Sequence, residues 1–331
     1  MQNFFRGLIA AAVIALPAGT LAQECEGQNI LEARPAEYLA RLDEAADKQP
    51  FPTGRFFQVS RGEASSILFG TIHLPDPDVA IIPPRLEMEI RRADRVFIEL
   101  TEFEEQRMQR ELMTTPALIR NSEGRRISDL LSGGEMEALA MALSSRGLTP
   151  PVFDRLEPWF LNLMVAMPKC VAVQQAKGEP ILDRLIEASA RRAEIPVEGL
   201  EAYDDVLGIL SGGDYEDQVA YLMMSLPLLE HAPDAMEVTK QLYLAGDIVK
   251  IWEFSRMEAE RLYDSDEVDE IFSESYEQLV TVRNRNWMDT LLPALDDGGA
   301  VVAVGALHLG GTSGLLAMLE NEGFEVSAIS E

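Results

Sequence analysis

Two of the three histidines in this 331-residue sequence share one short motif. His73 ends the segment Gly70-Thr71-Ile72-His73, His308 ends Gly305-Ala306-Leu307-His308, and an apolar run precedes each segment. Glycine lets the chain turn tightly where a strand ends, and an imidazole there can act as a metal ligand or a general base. The repeated Gly-x-x-His motif predicts one shared site. In the alternative interpretation, each histidine caps a strand or packs in the core.

Glu99 also stands out, because it lies inside the apolar run at residues 96–100. A strand of a parallel sheet is buried on both faces, and a carboxylate there is costly unless it is paired or bound to a metal. Two imidazoles and one carboxylate form a common ligand set for a catalytic divalent cation. We therefore predict that His73, Glu99 and His308 hold a divalent metal ion (Mn, Co or Zn). A salt bridge from Glu99 to an arginine is the alternative.

Arg283 and Asn284 are neighbours on a predicted helix that precedes the last buried strand. A cation and an amide in this position can hold a substrate carbonyl or an acidic partner. Trp287 follows on the same helix, and arginine with tryptophan is as common in ordinary packing. The two residues alone leave both interpretations open.

Signatures of several common enzyme classes do not occur in the sequence. The Gly-x-Ser-x-Gly elbow of α/β hydrolases and the His-Glu-x-x-His zinc motif are both missing. Residues 310–314 read Gly-Gly-Thr-Ser-Gly and can bind an anion at a helix start, but they lack the Gly-Lys-Ser/Thr ending of a nucleotide-binding P-loop. These absences argue against the commonest serine hydrolases, zinc hydrolases and nucleotide-binding proteins.

The elements that position these residues follow an α/β order. A buried strand at 66–69 leads to His73, a helix at 85–93 follows, and a second strand at 95–100 carries Glu99. This β-α-β order predicts parallel strands. A third buried strand at 300–304 leads to the motif that contains His308.

Most of the sequence between the second and third of these strands has helical periodicity. A short strand at 195–201 interrupts it, and a helix at 312–321 and a strand at 324–329 close the chain. We predict an α/β fold with a mostly parallel central sheet flanked by helices, and a large helical insertion between the N-terminal and C-terminal strands. No Pro/Gly/Ser-rich linker divides the chain, so we expect residues 23–331 to form a single domain.

The protein is strongly acidic. It contains 56 acidic and 28 basic residues, which gives a formal net charge of −28, and 47% of its residues are hydrophobic. Such a surface repels nucleic acid and anionic lipid. The hydrophobic content favours a folded protein over an acidic disordered chain.

The N-terminus has the features of a secretion signal. Arg6 precedes an apolar run at residues 7–16, and small residues surround Ala18 and Ala22, the two candidate cleavage positions. The apolar run is shorter than the roughly 20 residues that span a bilayer. We predict that residues 1–22 are removed, and that the mature protein is periplasmic or secreted without stable membrane insertion.

Cys25 and Cys170 are the two cysteines in the sequence. Lone cysteines usually pair in an oxidising compartment, and their wide spacing excludes a CxxC metal or redox site. We therefore predict a disulfide bond between them. Two buried free thiols are the alternative.

Taken together, these motifs resemble those of the TraB/GumN family over nearly all of the sequence that follows the signal. The two Gly-x-x-His segments carry most of the resemblance. The other matching features are the strand with Glu99, the segment Val197-Glu198-Gly199-Leu200-Glu201, Arg283 and Asn284 with Trp287, and Gly314-Leu315-Leu316. The family is similar to the TIKI proteins, described as metal-dependent proteases, and more distantly to erythromycin esterases and ChaN-like proteins.

The resemblance implies a function as well as a site. His73, Glu99 and His308 would form the metal or catalytic centre, and Arg283 and Asn284 would support it. We expect an exported, divalent-metal-dependent and peptidase-like hydrolase that acts on a peptide or another small polar substrate. The alternative is a non-catalytic periplasmic protein that binds a metal, haem or a glycan in the same crevice.

Overall fold

In a computed structural model of the protein, residues 27–121, 123–144 and 146–330 are described. The predicted signal peptide, Cys25 and the Cys170 side chain lie outside the described part. Signal cleavage and the Cys25–Cys170 disulfide therefore stay predictions. Within the described ranges, no helix is long and apolar enough to cross a membrane.

The chain divides into two compact units. The sheet unit comprises Asn29–Met108, Pro180–Ile209 and Val238–Glu331, and the helical unit is built mainly from Gln109–Glu179 and Leu210–Glu237. Compactness alone does not establish that a unit folds independently. The single domain expected over residues 23–331 therefore stays a prediction.

Six strands in the described part of the chain form one sheet. Their bounds are β1 Phe56–Arg61, β2 Ala64–Thr71, β3 Arg95–Ile98, β4 Val197–Gly199, β5 Ala300–Gly305 and β6 Glu325–Ala328. The strand order across the sheet is β4-β3-β5-β2-β1-β6. Neighbouring strands from β4 to β2 run parallel, whereas β1 runs antiparallel to both β2 and β6.

The sheet is therefore mixed, and the prediction of a mostly parallel sheet was wrong. Strand β1 was not predicted from the sequence, and it connects to β2 through Gly62 and Glu63 alone. A two-residue connection joins antiparallel strands, because a parallel pair needs a much longer crossover. Gly62 has φ of +64°, a conformation that glycine adopts without strain. The α/β class itself is confirmed.

Helices make up most of the remaining described residues. The α-helices are α1 Ala36–Asp47, α2 Pro84–Arg92, α3 Glu102–Thr114, α4 Gly133–Ser144, α5 Pro150–Phe153, α6 Pro158–Ala166, α7 Lys169–Lys177, α8 Leu182–Arg192, α9 Tyr203–Ser211, α10 Tyr215–Ser225, α11 Ala232–Ala245, α12 Ile248–Ala259, α13 Ser265–Tyr276, α14 Val282–Asp297 and α15 Leu315–Asn321. Short 3-10 helices lie at Ile30–Ala33, Pro116–Leu118, Ile127–Asp129, Leu226–His231 and Ala306–His308, and a π-helical turn lies at Glu277–Thr281.

The core of the sheet unit fixes the helix that reaches the site. Helix α8 places Leu182, Ile186 and Ala190 at four-residue spacing on one face, and this face packs against strand residues and against α2. Each fully buried Leu or Ile side chain stabilises the fold by about 1.5 to 3 kcal/mol. Because Asp183 directly follows Leu182, this packing also sets the position of its carboxylate.

The helical unit has a core of its own. Its buried residues include Leu139, Phe153, Leu161, Val165 and Leu222, which come from helices α4, α5, α6 and α10. In sequence, helical segments separate β3 from β4 and β4 from β5. Helical sequence therefore lies between the N-terminal and C-terminal strands, as expected, but β4 interrupts it. Whether it forms a single insertion stays a prediction.

Candidate functional site

The structure brings His73, Glu99 and His308 together at the carboxyl edge of the parallel strands. In the register, Thr71 of β2 lies beside Gly305 of β5, so the two Gly-x-x-His segments leave the sheet side by side. The Nε2 atoms of His73 and His308 lie 3.9 and 3.8 Å from the same oxygen, Glu99 Oε1. The three predicted residues thus face one common point.

Gly70 and Gly305 lie where a Cβ atom would come too close to neighbouring atoms, and neither requires a positive φ. A Cβ atom on Gly70 would lie about 3.1 Å from the Cα and Cβ atoms of Ala306, and a Cβ on Gly305 would lie 3.0 Å from Glu99 Oε1. Neither glycine has a positive φ. Glycine at these positions therefore allows close approach between the two motifs and the Glu99 carboxylate, and the chain turns directly after Gly305 into the 3-10 helix at Ala306–His308.

His308 is a buried, neutral imidazole with a defined tautomer. Its Nδ1 lies 2.7 Å from Asn284 Oδ1, and Asn284 Nδ2 donates to the carbonyl oxygens of His308 (3.1 Å) and Ser313 (2.8 Å). These contacts orient the amide so that His308 Nδ1–H donates and Nε2 keeps its lone pair. Burial lowers the pKa of His308 to about 3. Asn284 therefore positions His308 rather than facing a substrate.

His73 has the opposite protonation preference. Its Nδ1 lies 3.0 Å from Asp183 Oδ2, and Asp183 Oδ1 accepts a hydrogen bond of 2.7 Å from the Thr71 hydroxyl. The negative charge of Asp183 raises the pKa of His73 to about 9, although the side chain is 55% exposed and water screens part of the attraction. At neutral pH, His73 is therefore mainly an imidazolium.

Arg283 connects the remaining members of the site. Its Nη2 donates to Glu99 Oε2 at 2.6 Å, its Nε donates to Glu201 Oε2 at 3.0 Å, and its Nη1 lies 3.1 Å from His308 Nε2. The salt bridge considered as the alternative for Glu99 is thus present. We call His73, Glu99, Asp183, Glu201, Arg283, Asn284 and His308 the strand-end cluster.

Glu99 is held as a carboxylate in a buried position. Its Oε1 accepts a 2.6 Å hydrogen bond from the Gly305 N–H. Burial on its own raises the pKa of Glu99, but the neighbouring imidazoles, the Arg283 guanidinium and this N–H outweigh burial and lower it. Because His308 is neutral near pH 7, the stabilising positive charge at that pH comes from Arg283 and His73.

The two imidazoles and the Glu99 carboxylate are suitable ligands for a divalent cation, but their described positions do not form a metal-binding geometry. Each imidazole is held at Nδ1 by Asp183 or Asn284, the kind of outer contact that orients ligand histidines. However, no group of three or more His, Cys, Asp or Glu side chains among the described residues is arranged to hold a metal ion. The contact of Arg283 with His308 Nε2 uses the lone pair that a metal would need. The predicted cation stays a prediction.

Asp183 and Glu201 belong to the site but were not predicted as site residues. Asp183 lies beside Leu182 and Ile186 in a helix whose inner face is apolar, so an acid there was a detectable signal. Glu201 follows β4 much as Glu99 follows β3, because Gly199 and Ile98 are paired in register. A carboxylate after each of two neighbouring parallel strands could have suggested a shared crevice.

Asp183→Asn is expected to lower the pKa of His73, because the asparagine keeps the shape of the side chain but lacks the negative charge. The imidazolium form of His73 would then be lost at a lower pH than in the wild type. NMR titration of the three histidine rings measures this directly. Thr71→Val removes a hydrogen bond to Asp183 but keeps the charge, so it should move the His73 titration much less. Identical His73 titrations in wild type and Asp183→Asn would contradict the assignment.

The sequence matches a known protein family and two relatives. The TraB/PrgY/gumN family model matches residues 55–328, a range that includes every member of the strand-end cluster. The chain is 24% identical over 270 residues to "Uncharacterized protein YbaP" of Shigella flexneri, covering 78% of this chain and 89% of the relative. It is 24% identical over 264 residues to the protein of the same name in Escherichia coli, covering 76% and 86%. No solved structure gives a significant match.

Proposed function

Because the chain belongs to the TraB/PrgY/gumN family, we propose that the strand-end cluster is the active site of an exported hydrolase. One observation carries this proposal: two imidazoles with opposite protonation preferences face one oxygen of a buried carboxylate. Titratable groups whose pKa values are pushed apart within one site are typical of acid–base catalysis. The substrate class is a peptide or another small polar molecule.

The residues of the cluster have separate roles in this proposal. In the absence of a bound cation, His73 holds a proton at Nε2, the nitrogen that faces Glu99, and donates it to the leaving group. The positive charge of Arg283 stabilises the oxyanion that develops during attack, although its N–H groups already contact Glu99, Glu201, His308 and the Leu279 carbonyl. Ionised Glu99 accepts a hydrogen bond from the attacking water, orients it and takes its proton as the water attacks. Asp183 and Asn284 hold the two imidazoles in place.

A divalent cation defines a second form of the proposal, in which His73 is a ligand and not the proton donor, because Nε2 cannot hold a proton and a metal ion at the same time. His73, Glu99 and His308 would hold the ion, which when bound would lower the pKa of a water and so supply the nucleophile near neutral pH. Ligation requires a neutral His73, so the ion has to displace its proton. Since the pKa of His73 is about 9, cation binding should strengthen as the pH rises toward that value. If hydrolysis needs protonated His73 and no cation, activity should instead fall as the pH rises toward 9.

Hydrolysis of a peptide library tests the proposed function. Wild-type protein is expected to release fragments, and His73→Ala is expected to release far fewer. Repeating the assay with a chelator and then with added manganese, cobalt or zinc tests the cation separately. Absence of fragments from wild type with and without each metal would contradict the proposed peptidase activity.

Export to the periplasm or the medium belongs to the same proposal. It rests on the basic, apolar and small-residue pattern of residues 1–22, and it places Cys25 and Cys170 where disulfides form. Intact mass spectrometry under non-reducing conditions should show an N-terminus near Gln23 and a mass lower by two hydrogens than that of the reduced protein. Two thiols open to alkylation in unfolded, non-reduced protein would contradict the disulfide, and an intact residue 1 would contradict cleavage.

A further inference from the structure

A cavity of about 440 Å³ lies in the sheet unit beside the strand-end cluster. Helices α12 and α13, the π-helical turn and the segment around residues 306–313 line it. The volume lies in the range of small-ligand sites, which is about 300 to 1,000 Å³. None of the cluster residues named above lines this cavity, so its chemistry is a separate question.

Three aromatic side chains form one wall of the cavity. The ring centroids of Phe272 and Tyr276 lie 5.3 and 5.1 Å from that of Trp252, and the planes are steeply inclined. All three residues are only partly buried, whereas an aromatic cluster that belonged to the hydrophobic core would be fully buried. Partly exposed aromatic rings that line a cavity are typical of a ligand site, and a cation can bind through its attraction to such rings.

The charges around the cavity favour a positive ligand. Glu253, Asp269 and Glu277 line it. Arg256 is shared between Glu253 (3.0 Å), Asp269 (2.8 Å) and Glu260, and Arg285 pairs with Glu277 at 2.9 Å, so four acids face two cations. Burial and, to a smaller extent, the charge of Glu253 raise the pKa of Tyr276 to about 12. A cationic group in the cavity would therefore contact aromatic rings and would also be attracted by the excess of acidic over basic side chains.

The cavity and the strand-end cluster share two stretches of chain. Ala306 and Leu307 line the cavity and directly precede His308, and Thr281 lines it two residues before Arg283. Neighbouring Cα atoms are about 3.8 Å apart, so the backbone of the cavity wall lies within about 8 Å of both cluster residues. The π-helical turn ends at Thr281, and such turns often occur at functional sites.

We propose that this cavity binds a basic side chain, lysine or arginine, of a peptide whose backbone passes the strand-end cluster. The proposal extends the proposed function by naming a preferred substrate feature. The apolar stem of the side chain would contact Trp252 and Phe272, and its charged end would be attracted by Glu253 and Asp269. A basic residue near the bond that is cleaved would then be the determinant of specificity.

Peptide binding tests this proposal without requiring hydrolysis. Two blocked alanine pentapeptides are titrated into the His73→Ala protein, and they differ only in a central lysine or norleucine. Tryptophan fluorescence or calorimetry gives the dissociation constants. The lysine peptide is expected to bind about 3- to 30-fold more tightly, the range of a cation–π contact in a partly desolvated site. Equal binding of the two peptides, or no binding of either, would overturn the proposal.

Variants of the cavity wall locate the binding site. Trp252→Ala should remove most of the preference for lysine, and Asp269→Asn should reduce it. The exposed Asp269 keeps the test valid if Trp252→Ala does not fold. Glu270→Gln is the matched control, since Glu270 is an exposed acid next to Asp269 that does not line the cavity. An unchanged preference in Asp269→Asn would overturn the proposal. The variants could lose the preference for lysine while the wild-type protein hydrolyses no peptide. That result would contradict the proposed hydrolase activity but would support the proposed binding site.

Discussion

Arg283→Met is expected to lower the free energy of unfolding by about 3 to 5 kcal/mol, the usual cost of removing one partner from a buried ion pair. Methionine keeps the apolar stem but leaves Glu99 and Glu201, with side chains 9% and 5% exposed, without the shared guanidinium. Urea denaturation at pH 7 measures the difference. The loss should shrink as the pH falls, because Glu99 has a lowered pKa in the wild type and stabilises the fold only while it is ionised.

Arg285→Met is the matched control for this substitution. Arg285 lies one residue beyond Asn284 on α14, is 63% exposed and pairs with Glu277 at 2.9 Å. An exposed pair of this kind contributes about 0 to 1 kcal/mol. Similar losses in the two variants would mean that Arg283 is an ordinary surface cation. If the cluster binds divalent cations, added manganese should raise the melting temperature of Arg283→Met more than that of wild type, because it replaces the missing positive charge.

The location of the site could be predicted from sequence because its main signals are local. Each Gly-x-x-His segment follows an apolar strand within a few residues, and the carboxyl ends of parallel strands meet at one edge of a sheet. The strand with Glu99 is likewise defined by its own apolar residues. These short-range patterns are enough to bring His73, Glu99 and His308 together once the strands are parallel.

The partners of these residues depend on contacts that sequence spacing does not encode. Asp183 contacts His73 from 110 residues away, and Glu201 contacts Arg283 from 82 residues away. The position of each acid marked it as a candidate, but it did not show which distant residue the carboxylate contacts. The protonation states were therefore unpredictable as well, because the low pKa of His308 follows from burial and the high pKa of His73 from Asp183.

The antiparallel side of the sheet was missed for a related reason. Phe56, Phe57 and Val59 are buried in β1, but two adjacent phenylalanines break the strict alternation expected of a half-exposed strand. The residues between β1 and β2 offer one glycine and no typical Asn-Gly or Asp-Gly signal. Pairing of β6 with β1 then depends on the chain passing from β5 beyond β2 and β1 to the edge of the sheet. The missing strand β1 and its antiparallel pairing do not change the parallel strands β2, β3 and β5, which lead to the site residues.

His73→Ala is expected to reduce the kcat/KM of hydrolysis by about 100- to 10,000-fold, the usual contribution of a positioned acid or base. Its stability cost should stay below about 2 kcal/mol, because solvent reaches the 55% exposed position and can hydrate Asp183 after the ring is removed. Kinetic assays on cleaved library peptides and urea denaturation measure the two effects separately. A large loss of activity with a small loss of stability would assign His73 a chemical rather than a structural role.

The other two histidines serve as comparisons for this experiment. His308→Ala should lose activity to a similar extent but also lose more stability, since its ring is buried, contacts Trp287 at a centroid distance of 4.4 Å and donates to Asn284. His231→Ala should change neither quantity, because His231 is exposed and belongs to the helical unit. If activity survives His73→Ala at the level of His231→Ala, the strand-end cluster is not the active site, and the paired Gly-x-x-His motifs serve the packing of the sheet edge.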